Sequence, residues 1–162
     1  MELNTRGRYA VTAMADLAKF SAGEAVPISA IAERQHISLA YLEQLFAKLR
    51  RAGLVESERG RSGGYRLGRP ADRITVAEVM VAVEEGIRMT RCAGEETAPC
   101  IPGQRCLTHG LWDALGNQIA RFLDSVTLQE VIDGIAPHRL ALRPAPVAQI
   151  AEGQIAEGMA AE

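Results

Sequence analysis

The sequence predicts a mainly α fold: a winged helix-turn-helix, then a cysteine-rich loop and a long C-terminal helix. Three observations carry that reading. Three stripes at helical spacing are followed by a glycine-rich hairpin within residues 1–70. A separate apolar line, Leu111, Leu115, Ile119, Phe122 and Val126, repeats at helical spacing further on. All three cysteines fall between residues 92 and 106. With 162 residues, 48% of them hydrophobic, the chain can build one core and an appendage. Only 4% are aromatic, so that core is aliphatic.

Element by element, GRYAVTAMADLAKF puts Ala10, Met14 and Leu17 on one face, with Asn4 or Thr5 as candidate caps. A second, short helix starts after Pro27 and turns Ile28, Ile31 and Ala32 inward; residues 35–37 break it. Ser38 is placed to cap a third helix whose buried stripe is Leu39, Leu42, Leu45, Phe46 and Leu49, and Gly53 closes it. LVESERGRSGGYRLGRP reads as two short strands about a turn at Gly60–Gly64, with Arg59 and Arg61 at the tip. After Pro70 a fourth helix is expected over about Thr75 to Glu85, and a long helix over Leu107 to Val126. Thr127 and Glu130 form a capping box for a last short helix.

These elements divide into a winged-helix domain at 1–70, a connecting helix at 71–90, a cysteine loop at 91–110 and dimerisation helices at 107–135. Residues 136–162 turn to Pro, Ala and Gly and repeat QIAEG in tandem, which reads as a disordered tail. Asp16 and Lys19 interrupt the one apolar run near the N-terminus, and no apolar stretch is long enough to span a membrane. An odd number of thiols without a signal peptide points to a reduced cytoplasm.

Charge separates the two halves. Residues 1–74 carry 12 Lys and Arg against 8 Asp and Glu, whereas residues 75–162 carry 6 against 12. A basic half of this kind is suited to phosphates. In a helix-turn-helix the second helix enters the major groove of double-stranded DNA, its N-terminal residues on the base edges. Those are Ser38, Ala40, Tyr41, Glu43 and Gln44. Gln44 can pair bidentately with adenine, and Glu43 can accept from cytosine. Lys48, Arg50 and Arg51 are the candidate phosphate contacts, with Arg59 and Arg61 of the wing reaching a minor groove.

Cys92, Cys100 and Cys106, with His109 close behind, admit several chemistries. Zinc sites favour two thiolates a few residues apart, but the gaps here are seven and five residues. Longer loops suit an iron–sulfur cluster wrapped by thiolates. Spacing leaves a cluster, zinc, a redox disulfide and incidental thiols all open. A thiol-dependent enzyme using Cys106 and His109 would need an oxyanion hole and a substrate cleft. Nothing in the sequence supplies them, so the chain reads as a non-enzyme.

GRYAVTAM in the first helix, SLAYLEQLF in the third, RSGGYRL in the wing and RC…C…CLTHGLW across the cysteine loop resemble the Rrf2 family of bacterial regulators. The likeness runs from Met1 to about Ile135 and is closest to members that sense iron–sulfur clusters. The resemblance implies a homodimeric transcription factor carrying a [2Fe-2S] cluster on Cys92, Cys100, Cys106 and His109. It implies repression of cluster-assembly genes when the cluster is present, and a second class of sites read by the apo form. A cluster-assembly scaffold is the expected cluster donor. Family members that sense nitric oxide or cysteine supply, and a zinc-binding winged-helix regulator, are the alternatives. Two departures stand out: the gap after Cys92 is longer than in enterobacterial relatives, and Arg61-Ser62 replaces Pro-Gly in the wing. For the long helix, a two-fold pair along Leu111, Leu115, Ile119 and Phe122 would set two recognition helices on a palindromic promoter site.

Overall fold

The computed structural model describes residues 5–21, 23–60, 63–83, 100 and 104–134. The first helix, α1 (Thr5–Phe20), buries Ala10, Ala13, Met14 and Leu17 completely, along a single face. Helix α2 (Ile28–Gln35) starts after Pro27, whose fixed φ and missing N–H suit a helix entrance. It ends at His36, which takes a left-handed conformation (φ 52°, ψ 40°) and donates its N–H to the Ala32 and Glu33 carbonyls. Ile37 then turns into the core, making the tight corner of the helix-turn-helix.

Helix α3 (Leu39–Arg51) is capped as expected, the Ser38 hydroxyl accepting from the Tyr41 N–H at 3.3 Å. Leu42, Leu45, Phe46 and Leu49 are buried, each worth about 1.5–3 kcal/mol. Leu39 departs from the expected stripe: as the first residue of the helix it overhangs the core and stays 42% exposed. At the other end Gly53 has φ +71°, its N–H bonds the Arg50 carbonyl, and the Leu54 N–H reaches back to Leu49. This paired closure requires a left-handed residue at position 53, which a side chain would strain. Leu49 and Leu54 are both buried, the apolar contact that accompanies such a closure.

Strands β1 (Val55–Glu58) and β2 (Gly64–Leu67) pair antiparallel in the register Val55 to Leu67 and Glu58 to Gly64. On its other edge β2 exchanges two 2.8 Å bonds with Val26, so the loop before α2 adds a third rung. A Cβ at Gly64 would collide with the Val26 carbonyl. Tyr65 packs edge-on against Phe46, ring centres 4.7 Å apart, which seats the wing on α3.

After a 3-10 turn at Ala71–Arg73 come α4 (Val76–Ala82), α5 (His109–Ser125) and α6 (Leu128–Asp133). Helix α4 begins where expected; Glu84 and Glu85 lie outside the described residues, as do the expected tail at 136–162 and Cys92. Both α4 and α6 open with capping boxes, Thr75 with Glu78 and Thr127 with Glu130. The two cap residues face each other in an antiparallel bridge, where Val76 N–H meets the Val126 carbonyl and Leu128 N–H the Ile74 carbonyl, both at 2.9 Å. The core runs on past residue 70, because Ile74, Val79, Val83 and Leu128 join the cluster of α1 and α3.

The long helix is shorter than expected. Leu107 and Thr108 form a turn before it, because the Thr108 hydroxyl faces the Cys106 sulfur at 3.7 Å instead of capping the helix. Its expected apolar seam also divides. Phe122 and Leu123 pack half-buried against Val76, Met80 and Val126 of the same chain. Towards the start of α5, Leu111 (62% exposed), Trp112 and Leu115 (both 38%) are uncovered.

Candidate DNA-reading surface and cysteine–histidine site

The outer surface of α3 presents Ser38, Ala40, Glu43 and Gln44 to solvent, on the turns just after the helix-turn-helix corner. Tyr41 is different. It is half-buried, packs on the core and meets Tyr9 of α1 edge-on with ring centres 6.0 Å apart. Ser38 commits its hydroxyl to the helix cap. Among the expected phosphate contacts, Arg50 and Arg51 are exposed and Lys48 is half-buried. Arg50 donates to the Ser57 hydroxyl of β1 at 3.3 Å, bracing the wing, while the Arg51 Nε donates to the Ala47 carbonyl at 3.3 Å. Arg59 is exposed at the end of β1; Arg61 lies outside the described residues. The frame therefore puts Glu43, Gln44, Arg50, Arg51 and Arg59 on accessible positions of α3 and the wing.

The sequence reading missed the group that locks this surface in place. Asp16, 4% exposed on α1, accepts from the Arg34 Nε and Nη2 (3.0 and 2.6 Å) and from the Gln35 Nε2 (2.7 Å), both on α2. The Arg34 guanidinium also lies 4.6 Å from the Phe20 ring centre. The Asp16 carboxylate holds Arg34 above its ordinary pKa. The signal was present in the sequence: Asp16 comes three residues after Ala13, on the buried face of an otherwise apolar stripe. Nothing in the sequence named its partners.

At the start of α5 the cysteine loop returns to the fold. Cys100 Sγ lies 3.1 Å from His109 Nδ1, across nine residues of chain. Cys106 precedes the helix rather than joining it, but its carbonyl accepts the His109 N–H at 3.1 Å, which keeps the two residues within one turn. The Thr108 hydroxyl draws the Cys106 thiol below its ordinary pKa, with Cys100 adding to the effect. Of the four expected ligands, Cys100 and His109 thus touch and Cys106 sits beside them in the chain, while Cys92 lies outside the described residues. Among the described residues no group of three or more His, Cys, Asp or Glu is arranged to hold a metal ion.

The comparisons with known proteins agree on the nature of this frame. Residues 3–134 match the Rrf2 family, described as an iron-dependent transcriptional regulator. The chain belongs to the Rrf2 family. An Rrf2 relative from Xenorhabdus nematophila, the HTH-type transcriptional regulator IscR, is 55% identical over 132 residues, 82% of this chain and 79% of its own. Among solved Rrf2-type structures, that of CymR, the global cysteine regulator of B. subtilis, superposes with a TM-score of 0.69 at 32% identity, covering 82% of this chain and 97% of its own. The T. potens IscR structure gives 0.67 at 33% identity, covering 88% and 93%. The expected winged helix-turn-helix is therefore the fold. The protein is a DNA-binding regulator of transcription, and its relatives are regulators, not enzymes. No helix among the described residues is long and apolar enough to cross a membrane.

Proposed function

We propose that this Rrf2 protein senses iron–sulfur cluster supply and, as a homodimer on palindromic promoter DNA, represses cluster-assembly genes when loaded. The observation that carries the reading is the 3.1 Å approach of Cys100 Sγ to His109 Nδ1 at the start of α5. A thiol and an imidazole meeting there, next to a second thiol with added thiolate character, fit thiophilic iron. The helix N-terminus favours the negative charge of bound thiolates. Cys92, Cys100, Cys106 and His109 would hold a [2Fe-2S] cluster, which supplies a charged, redox-active link between the loop and α5 when bound. The iron-dependent family and the IscR relative support the same chemistry.

The remaining parts are assigned to α3 and the wing. Glu43 and Gln44 read base edges, Arg50 and Arg51 hold phosphates, and Arg59 and Arg61 enter the minor groove. Ser38, Ala40, Tyr41 and Lys48 shape or flank that surface. Leu111, Leu115 and Ile119 form the two-fold seam, and Phe122 braces it from within its own chain. A cluster-assembly scaffold is the cluster donor. The likeness to CymR favours a second reading, a sensor of cysteine supply.

Purification without oxygen tests the choice. A red-brown protein with about two irons and two sulfides per chain is expected, and Cys106→Ala should be colourless yet folded. A colourless wild-type protein that binds one zinc ion, or one whose DNA binding responds to a cysteine precursor and not to iron, would replace this reading.

A further inference from the structure

The outer face of the wing carries a charge cluster that the DNA-reading surface does not use. Arg66 on β2 stands directly across from Glu56 on β1. Its guanidinium donates from Nε to Glu56 at 3.2 Å and from Nη2 to the same carboxylate at 3.1 Å. Its Nη1 meets Glu58 at 2.5 Å. Strand alternation keeps this trio on one face, while Ser57 and Tyr65 turn to α3. All three side chains are between 41% and 57% exposed, so as ion pairs in water they contribute little to stability.

Their position matters more than their pairing energy. Glu58 precedes Arg59, whose Cα is only about 3.8 Å further along the chain. The charge of the Glu58 and Glu56 carboxylates is therefore only partly screened from a phosphate drawn to Arg59, the Debye length being roughly 10 Å at 0.1 M salt. Two bare carboxylates there would repel the backbone that the wing is meant to meet. We propose that Arg66 is a positioning residue for DNA binding. It clamps Glu56 and Glu58 and offsets one of their two carboxylate charges, so that the basic residues of the wing meet DNA beside one net negative charge instead of two, without Arg66 itself holding a phosphate.

This inference rests on the wing approaching DNA, and the experiment separates the two. Affinity for operator and random duplexes is measured at 0.1 M salt for the full chain and for Arg59→Ala, Arg66→Met, Glu56→Gln/Glu58→Gln and the triple variant. Arg66→Met should weaken both duplexes by roughly three- to tenfold, with thermal melting nearly unchanged. The triple variant should bind at least as tightly as wild type, because removing all three groups takes the cluster from one net negative charge to none. Glu56→Gln/Glu58→Gln alone should bind more tightly than wild type, since the charge of Arg66 is released. If the triple variant stays as weak as Arg66→Met, Arg66 holds a phosphate directly and the clamp is wrong. Normal binding by Arg66→Met, beside weakened binding by Arg59→Ala, overturns the clamp alone. Normal binding by Arg59→Ala removes the wing from the DNA, and the clamp with it.

Discussion

Asp16 lies on the buried face of α1, and its oxygens accept from Arg34 and Gln35 of α2. No buried side-chain nitrogen or oxygen among the described residues lacks a partner, so this carboxylate is a satisfied one. Because α2 leads through the corner at His36 into α3, the same group sets how the reading helix leans on the core. Asp16→Ala leaves Arg34 without its carboxylate, but one-third of that side chain already reaches water. We expect a loss of about 2–4 kcal/mol, below the upper end for a fully buried pair. Urea denaturation checks it, and Asp16→Leu/Arg34→Leu should recover much of the loss. At the reading surface, Gln44→Ala should cost about 1–3 kcal/mol at one operator position and relax the base preference there. Competition with operators varied at each position is the measurement; equal weakening on random DNA would remove Gln44 from base reading.

Among the elements, α4 shows how the wing is tied to the C-terminal helices. The Glu78 side chain accepts the Thr75 N–H at 2.9 Å, closing the capping box, and also takes the Arg69 Nη2 at 2.9 Å from the chain leaving β2. The Thr75 N–H first, and then Arg69, hold the Glu78 carboxyl below its ordinary pKa. A depressed carboxylate adds stability above its unfolded pKa, and that stability is lost as pH falls through the folded value. Glu78→Gln should therefore cost about 0.5–1 kcal/mol at pH 7, a capping contribution reduced by its exposure. In acid the two proteins should converge; a gap that persisted below the carboxylate range would assign Glu78 a purely steric role. This part of the fold was only half legible. Capping boxes and stripes are local patterns, so Ser38, Gly53, Thr127 and the hairpin could be read from sequence. The bridge between Thr75 and Thr127 joins residues far apart in the chain, and spacing within a helix carries no sign of it. Likewise the cysteine spacing could name the thiols, but the approach of Cys100 to His109 depends on where the loop returns to the fold.

At the scale of the whole molecule, a single chain leaves apolar surface uncovered at the start of α5. The second half of that helix is occupied, with Phe122 and Leu123 packed on Val76, Met80 and Val126. The first half carries Leu111, Trp112 and Leu115 into solvent, next to Leu107, which is fully exposed. Single exposed leucines are ordinary, but a run of them on one helix, continuous with an intrachain cluster, is the pattern of an interface. An isologous pair would bring Leu115 of each chain close to the two-fold axis. It would also set the two cysteine–histidine sites beside the shared seam, so that a cofactor on one chain bears on the geometry of both. Of the apolar line read from the sequence, Leu111, Leu115, Ile119 and Phe122 lie on α5 and Val126 follows it, and periodicity cannot tell a core face from a partner face. That is why Phe122 turns out to pack on its own chain. Leu115→Glu tests the division. Leu115 is exposed, so with a carboxylate there helix content and the melting of the winged-helix core should change little. Across a two-fold axis, however, two such charges would face each other without partners, at a cost of several kcal/mol. Sedimentation should show a monomer, and operator affinity should drop towards that of a single half-site. Phe122→Ala, by contrast, should lower the melting temperature before it affects the association state, because its contacts are within the chain. If Leu115→Glu stayed dimeric, the two copies would have to meet elsewhere, and the exposed start of α5 would need another partner.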